Sequence, residues 1–247
     1  MNYLKKIKKL FLFLQDHIEE IVSKWNQIDD EIWAKIICME RNRRVAKAYA
    51  RAPILTINGS DIGFDGHRIG LNGFNNPMRD RKVASVKATI DMEGVKIRMD
   101  EHGSLLVKRL CKNPVYLRET NLLEPESEEK IAGTNDSTKK LLPKRTSVIL
   151  FDMVQFQTTL AREVKYSSSI SYNSFSSGDK HDSQLPLLQQ QCFAFLSFGK
   201  LSSSTSTSNL LNTPLWVIVI NLVALEMLLK VIPPSLHRIM FTNKNQG

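Results

Sequence analysis

The sequence predicts a mainly β fold of the α+β class, a β-sandwich with helices at its ends. Three observations point there. Strand-like runs predominate along the 247 residues; in the clearest, Val95, Ile97 and Met99 alternate with Lys96, Arg98 and Asp100, giving one buried and one wet face. Turn signals such as Asn58-Gly59 and Asp100-Glu101-His102-Gly103 punctuate the runs. Helical spacing is confined to a few segments, and the loops between elements are long and polar. A content of 42% hydrophobic and 24% charged residues excludes a wholly disordered chain.

The elements follow in order. Residues 1–30 open with a basic run (Lys5, Lys6, Lys8, Lys9) and five apolar residues, Leu10 to Leu14. The run is shorter than the roughly seven residues of a signal-peptide core, and no small-residue cleavage pattern follows. An amphipathic helix to about Trp25 accounts for it better, with Leu10, Leu14, Ile18, Ile21 and Trp25 on one stripe. That helix has three uses open to it: packing on the domain, binding a partner, or touching anionic lipid. Strands are expected over Ile32–Met39, Val45–Tyr49, Pro53–Ile57, Arg68–Leu71, Val95–Met99, Leu105–Leu110, Val115–Arg118 and Ser147–Leu150. A helix is expected over about Arg79–Ile90. A second one starts at Asp152 and carries Met153, Phe156, Leu160 and Val164.

Residues Gln191–Leu196 read as a core strand. The apolar stretch 215–229 is nearly long enough to span a bilayer, but Asn221 and Glu226 interrupt it. Its β-branched first half and helix-forming second half predict a buried strand followed by a helix, stopped by Pro233-Pro234. The core domain is therefore placed at 31–234, with flexible insertions near 120–146, 166–184 and 201–212 and a loose basic tail over 235–247.

The formal net charge is +9, from 34 basic and 25 acidic residues. Such a balance suits nucleic acid, an anionic membrane, or acidic and phosphorylated protein. Chemistry-bearing motifs fail one by one. The stretch Gly59-Ser60-Asp61-Ile62-Gly63-Phe64-Asp65-Gly66 is neither a phosphate-binding nor a dinucleotide-binding loop, and it lacks the ligand pattern of a calcium loop. His17, His67, His102, His181 and His237 are scattered, none beside a nucleophile motif. Cys38, Cys111 and Cys192 are far apart, without metal-ligand spacing, and read as buried thiols. No catalytic residue, cofactor or metal site is expected, and no nucleic-acid recognition motif appears.

The segments resemble, in order and spacing, the C-terminal Mad-homology domain of Smad proteins. The resemblance runs from about Trp33 to Pro234. It is carried by Trp33-Ala34-Lys35-Ile36, Arg44-Val45, Thr56-Ile57-Asn58-Gly59, His67-Arg68-Ile69-Gly70-Leu71, Gly94-Val95-Lys96-Ile97, Val115-Tyr116-Leu117, Leu150-Phe151-Asp152-Met153, Cys192 to Lys200 and Thr213-Pro214-Leu215-Trp216. The stretch Met39 to Arg51 departs from ordinary Smads and is similar to a divergent invertebrate branch, the Expansion-type proteins. The resemblance implies a Smad/FHA-type sandwich with a helical bundle at one end and a loop-helix region at the other. It also implies a non-enzymatic intracellular protein-interaction module, cytoplasmic or also nuclear, acting in signalling, transcription regulation or epithelial and apical-matrix morphogenesis. Partners would be other proteins, with acidic or phosphorylated segments among them; homo- or hetero-oligomerisation stays open.

Site residues come from the same resemblance. Arg68 and Lys200 match the family's arginine and lysine that receive a phosphoserine tail; charge-assisted bonds from guanidinium and ammonium to phosphate oxygens are the chemistry. Arg68 as a loop-ordering donor and Lys200 as a solvated loop lysine are the alternatives. The family's later arginine-bearing loop is replaced by Ser202 to Ser208, and its interface aspartates are matched by Asn58 and Leu229. The family's terminal Ser-x-Ser tail and zinc-bearing DNA-binding domain are not expected to act here. Separately, Arg41, Arg43 and Lys47, flanked by Arg44, are expected to share one side of a strand as a basic interaction face; a charge-protected sheet edge is the alternative. A second functional reading is a peripheral membrane adaptor with weak contact through residues 4–25.

Overall fold

Three strands are buried on both faces. β1 (Ala34–Glu40), β10 (Phe193–Phe198) and β11 (Leu215–Asn221) have no exposed residue. Strands of that kind belong in the middle of a sheet covered on both sides. The computed structural model describes residues 3–118, 139–170, 185–199 and 210–231, and places them there. The other elements, in chain order, are α1 (Tyr3–Ser23), β2 (Arg43–Ala50), β3 (Ile54–Asn58), β4 (Arg68–Gly70), α2 (Arg81–Ala88), β5 (Val95–Met99), β6 (Leu105–Arg109), β7 (Val115–Arg118), β8 (Lys139–Leu141), β9 (Ser147–Phe151), α3 (Met153–Ile170), α4 (Leu185–Gln191) and α5 (Leu222–Val231).

Among the described residues the strands form two sheets, ordered β2-β1-β11-β10-β7-β8 and β4-β3-β5-β6-β9. Pairing is antiparallel except between β3 and β4. The second sheet alternates: Leu55, Ile57, Val95, Ile97, Leu105 and Val107 are buried, while Lys96 and Arg98 between them are exposed. One core joins the inner faces of both sheets with Leu14, Ile18 and Ile21 of α1. Each of those three side chains contributes about 1.5–3 kcal/mol by leaving water.

Helices close both ends of β1. At its Ala34 end, α5 follows β11 directly, and the Leu222 N–H donates to Trp33 O at 3.0 Å. There α3, α4 and α5 pack on one another. At the Glu40 end lies α2, capped by Asp80, whose carboxylate accepts from the N–H groups of Lys82 and Val83. The α3 start is capped similarly, Gln155 N–H donating to Asp152 Oδ1 at 3.0 Å. Gly70 lets the glycine-rich loop lie against β4, since a Cβ there would sit 2.0 Å from Ile62 O. The fold is thus the mainly β sandwich with helices that the sequence predicts.

Several expectations need correction. The 120–146 insertion contains β8, paired with β7 from Tyr116↔Leu141 to Arg118↔Lys139, and Leu142 is fully buried. Three residues are too few to show alternation, and their partner is supplied by tertiary structure. Helix α3 runs on to Ile170, into the serine-rich stretch read as structureless, and an unexpected helix, α4, ends at Gln191, so the core strand starts at Phe193. Leu210 and Leu211, at the end of the 201–212 insertion, are buried in a single helical turn. The remainder of those insertions (119–138, 171–184, 200–209) and the tail from 232 lie outside the described residues.

Candidate functional site

The hairpin of β1 and β2 carries four basic residues within Arg41–Lys47, and the fold neutralises three of them. Arg41 precedes β2, in the turn, with φ 53°. A non-glycine residue in that region costs roughly 1–2 kcal/mol. Four bonds hold it there. Its Nε donates to Asp80 Oδ2, its terminal nitrogen to Asn212 O at 2.8 Å, its N–H to Pro214 O at 3.1 Å, and its carbonyl accepts from Trp216 Nε1 at 2.7 Å. The Arg41 guanidinium in turn holds the Asp80 carboxyl down at about 2.

Beside it, Glu40 is a buried carboxylate with 1% side-chain exposure. It accepts from Arg79 at 2.9 Å, Lys87 at 3.1 Å and Asn76 at 2.6 Å. Burial alone would raise its pKa; the bonds from Arg79, Asn76 and Lys87 outweigh that and lower it. The hairpin tip is thereby fastened to α2 and the loop before it.

Further along, a bulge changes which side chains share a face. Cys38 pairs with Ala46 but Met39 pairs with Arg44, leaving Val45 as the extra residue of β2. Lys47, opposite Ile37, therefore shares its face with Arg44 and not with Arg43. The expectation of one face holding Arg41, Arg43 and Lys47 is replaced: strict alternation does not survive a bulge, and Arg41 is outside the strand. Glu20 of α1 covers the Arg44–Lys47 face. It bonds Lys35 Nζ at 2.9 Å and Lys47 Nζ, and lies 3.5 Å from Arg44. Burial would raise Glu20, but the hydrogen bonds from Lys47 and Lys35 bring it down to about 2. His17, one turn earlier, is lowered to about 4 by burial first and then by Lys35 and Arg44. Arg43 is exposed.

Arg68 lies apart from this hairpin, on β4. Asp65 Oδ1 accepts from the N–H groups of His67 and Arg68 at 3.0 and 2.7 Å, and Oδ2 is 3.4 Å from Arg68 Nε. That supports the loop-ordering role. The guanidinium side chain keeps 39% exposure, and its terminal nitrogens have no acceptor among the described residues. Lys200 lies outside the described residues; Gly199 before it has φ 90° and donates its N–H to Pro114 O at 3.0 Å. Arg68 instead shares a cross-strand row with Lys96 and Lys108, through Thr56. Sequence reasoning missed Lys96, Arg98 and Lys108 as a group. The alternation that places Lys96 and Arg98 outward was visible; the register that brings Arg68 and Lys108 alongside was not.

Among the described residues, the three thiols are held away from the reactive thiolate form. Cys38, Cys111 and Cys192 are buried and burial raises each thiol, Cys38 to about 12. No cluster of three metal-ligating side chains occurs among the described residues. A cavity of about 410 Å³ where α3 leaves β9 brings together Arg118, Asp152, Gln155 and Gln191, without a nucleophile–base pair. No helix among the described residues is long and apolar enough to cross a membrane. The stripe Leu14, Ile18 and Ile21 of α1 faces the core, not solvent.

Against known families, the model of the MH2 domain matches residues 31–222. The chain belongs to the MH2 domain family. MH2 domains are protein–protein interaction modules of Smad type, and that coarse activity follows from membership. No curated protein matches. Among solved structures, the IAD domain of interferon regulatory factor 9 is similar at 18% identity, covering 86% of this chain and 94% of that one, TM-score 0.48. A chain from the complex of STAT2 with IRF9 follows at 16% identity, 83% and 100% coverage, TM-score 0.47. The FHA1 domain of yeast Rad53 is similar at 11% identity, 93% and 97% coverage, TM-score 0.32. In this MH2 chain, Asn58, at the position matched to a family aspartate, is 2% exposed and acts locally. It donates to Met92 O at 2.8 Å and accepts from Ser60 N–H at 3.0 Å. Leu229, matched to the other, packs against the core.

Proposed function

We propose that this MH2 domain is a non-enzymatic docking module that receives acidic or phosphorylated segments of other proteins inside the cell. One observation carries the reading. While Glu20 and Asp80 meet three of the hairpin cations, Arg43, Lys96, Arg98 and Lys108 are among the cations on the sandwich surface that have no carboxylate partner among the described residues. Arg68 joins them with its guanidinium half open to an incoming oxyanion. A phosphate brings three acceptor oxygens and up to two charges, which a guanidinium binds better than a neutral donor does. Lys200 would supply the second cation if it lies as the Smad resemblance implies.

The test is a phosphoserine-peptide pull-down comparing the wild type with Arg68→Ala plus Lys200→Ala. Weaker capture by the double variant is expected, and equal capture rejects these two residues as the site. The finer assignment, to signalling, transcription or epithelial morphogenesis, rests on the Expansion-type resemblance. Proximity labelling in an intact epithelium checks it, with recovery of apical-matrix or signalling proteins expected. The membrane-adaptor reading needs the α1 stripe free, and the buried positions of Leu14, Ile18 and Ile21 count against it.

A further inference from the structure

We infer that the outer face of the sheet β4-β3-β5-β6-β9 is the docking surface, and that its occupant is an extended segment of a partner protein in which an acidic or phosphorylated residue and an apolar one stand two positions apart. This rests on the acidic-segment reading above and names the surface and sequence pattern for it. Two rows cross the face. The first is Arg68, Thr56, Lys96, Lys108 and Ser147; the second is Ile54, Arg98, Leu106 and Ile149. Their chain neighbours Leu55, Ile57, Ile97 and Val107 are fully buried, which fixes both rows as outward.

The charge on this face has one sign. Strands β3, β4, β5, β6 and β9 contain no aspartate or glutamate. Of the carboxylates in the flanking turns, Asp65 is engaged as described and Asp100 accepts from the N–H groups of His102 and Ser104 at 3.0 and 2.9 Å, while Glu93 and Glu101 are exposed in the turns at either end of β5 and outside both rows. A wet antiparallel face is ordinarily polar, but directly opposed like charges destabilise a sheet. Lys96 and Lys108 are such a pair. An anion lying between the two ammonium groups removes that repulsion, which is the complementarity an acidic segment supplies.

The second row selects among anions. Ile54 is 46% and Ile149 54% exposed, and β9 is an edge strand, where an open isoleucine invites aggregation unless covered. The rows are two residues apart along each strand, about 6.8 Å, which is also the separation of alternate side chains on one side of an extended chain. An extended segment with an acid and an apolar side chain two positions apart fits both rows together. Nucleic acid would leave the isoleucines without partners, and the face has no aromatic side chain on which bases stack.

The experiment measures fluorescence anisotropy of a labelled peptide repeating Glu-Ser-Leu-Ser, which sets glutamate and leucine two positions apart on one side of an extended chain, with the full chain at low salt. Expected are binding by the wild type that weakens with added salt, a loss of about tenfold or more in Lys96→Glu plus Lys108→Glu and in Lys96→Gln plus Lys108→Gln, and no change in Lys24→Glu, an exposed lysine at the end of α1. Unfolding midpoints confirm that each variant folds. Equal binding by wild type and both double variants overturns this surface and leaves the acidic-segment reading standing. No binding by the wild type of this peptide or of a phosphoserine peptide overturns both. Binding of phosphatidylserine vesicles but not of peptide overturns a protein occupant. The chain's own acidic stretch between Glu119 and Asp136 is the remaining competitor: peptide binding that appears only after Glu124, Glu126, Glu128 and Glu129 are changed to glutamine overturns a partner protein as the resident occupant.

Discussion

Two basic regions of this molecule behave oppositely. Arg41, Arg43, Arg44 and Lys47 crowd into seven residues of sequence, yet Asp80 and Glu20 meet three of them. Arg68, Lys96, Arg98 and Lys108 are spread along the chain, yet strand register assembles them on one sheet face, where among the described residues Asp65 alone forms an ion pair with one of them. The density of charge in a sequence is therefore a poor guide to the potential at a surface. What decides is where the fold delivers counter-charge, and in the hairpin it arrives from α1 and from the cap of α2.

The neutralised region breaks most severely at its buried end. Glu40→Ala leaves Lys87 and Arg79 without their carboxylate, and the expected loss is about 3–5 kcal/mol, because an uncompensated buried charge remains. Urea unfolding measures it. Adding Lys87→Met should recover part of the loss, since the pair then becomes an apolar contact. If Glu40→Ala costs no more than an exposed substitution such as Arg98→Ala, within about 0.5 kcal/mol, the hairpin tip is not held by this network.

Glu20→Ala tests the other counter-charge. Lys35 is fully buried at its side chain, and it loses its carboxylate, at about 2–3 kcal/mol for a buried charge-assisted bond. Acid reaches the same cluster in two stages. His17 titrates near 4 in the fold against an ordinary 6.5. Its lowered value stabilises the fold above pH 6.5, and that contribution is lost as pH falls toward 4. Glu20 titrates near 2 against an ordinary 4.5, so its contribution is present above 4.5 and is lost as pH falls through 2. His17→Gln should remove the first stage and keep the second, read as the urea midpoint followed downward from neutral pH.

Much of this organisation was legible in the sequence, and the exceptions have physical causes. The division of the apolar run at Asn221 was visible because side-chain shape separates strand from helix formers; β11 ends there and α5 begins at Leu222. The wet face of β5 was visible from its alternation. The three-residue β8 was not, because its strand form rests on pairing with β7. The bulge at Val45 was not, and it reversed which of Arg43 and Arg44 accompanies Lys47. Lys35, alone in an apolar run, gave no hint of its partner fifteen residues earlier. Register and counter-charge are properties of pairs of segments, and single-segment patterns do not encode them.

A smaller effect separates strain from bonding in the hairpin turn. Arg41→Gly and Arg41→Ala both remove the bonds to Asp80 and Asn212, but only glycine also relieves the positive φ. The glycine variant should therefore be more stable than the alanine variant by about 1 kcal/mol, a difference visible in thermal midpoints. Equal midpoints would mean that the turn relaxes once the side chain is gone.

The smallest effect sharpens the comparison most. Lys96→Glu places a carboxylate directly across from Lys108, and it should stabilise the free protein by about 0.2–1 kcal/mol, the size of a cross-strand pair. The same change at Lys47 puts a carboxylate against Glu20 and should destabilise. One substitution type, on two exposed strand lysines of one molecule, is thus expected to change sign with location. Both arms are read as urea midpoints at low salt, and added salt should shrink the two effects toward zero. If Lys96→Glu instead destabilises, the outer face already holds an anion in the free protein, and its cations are not open to a partner.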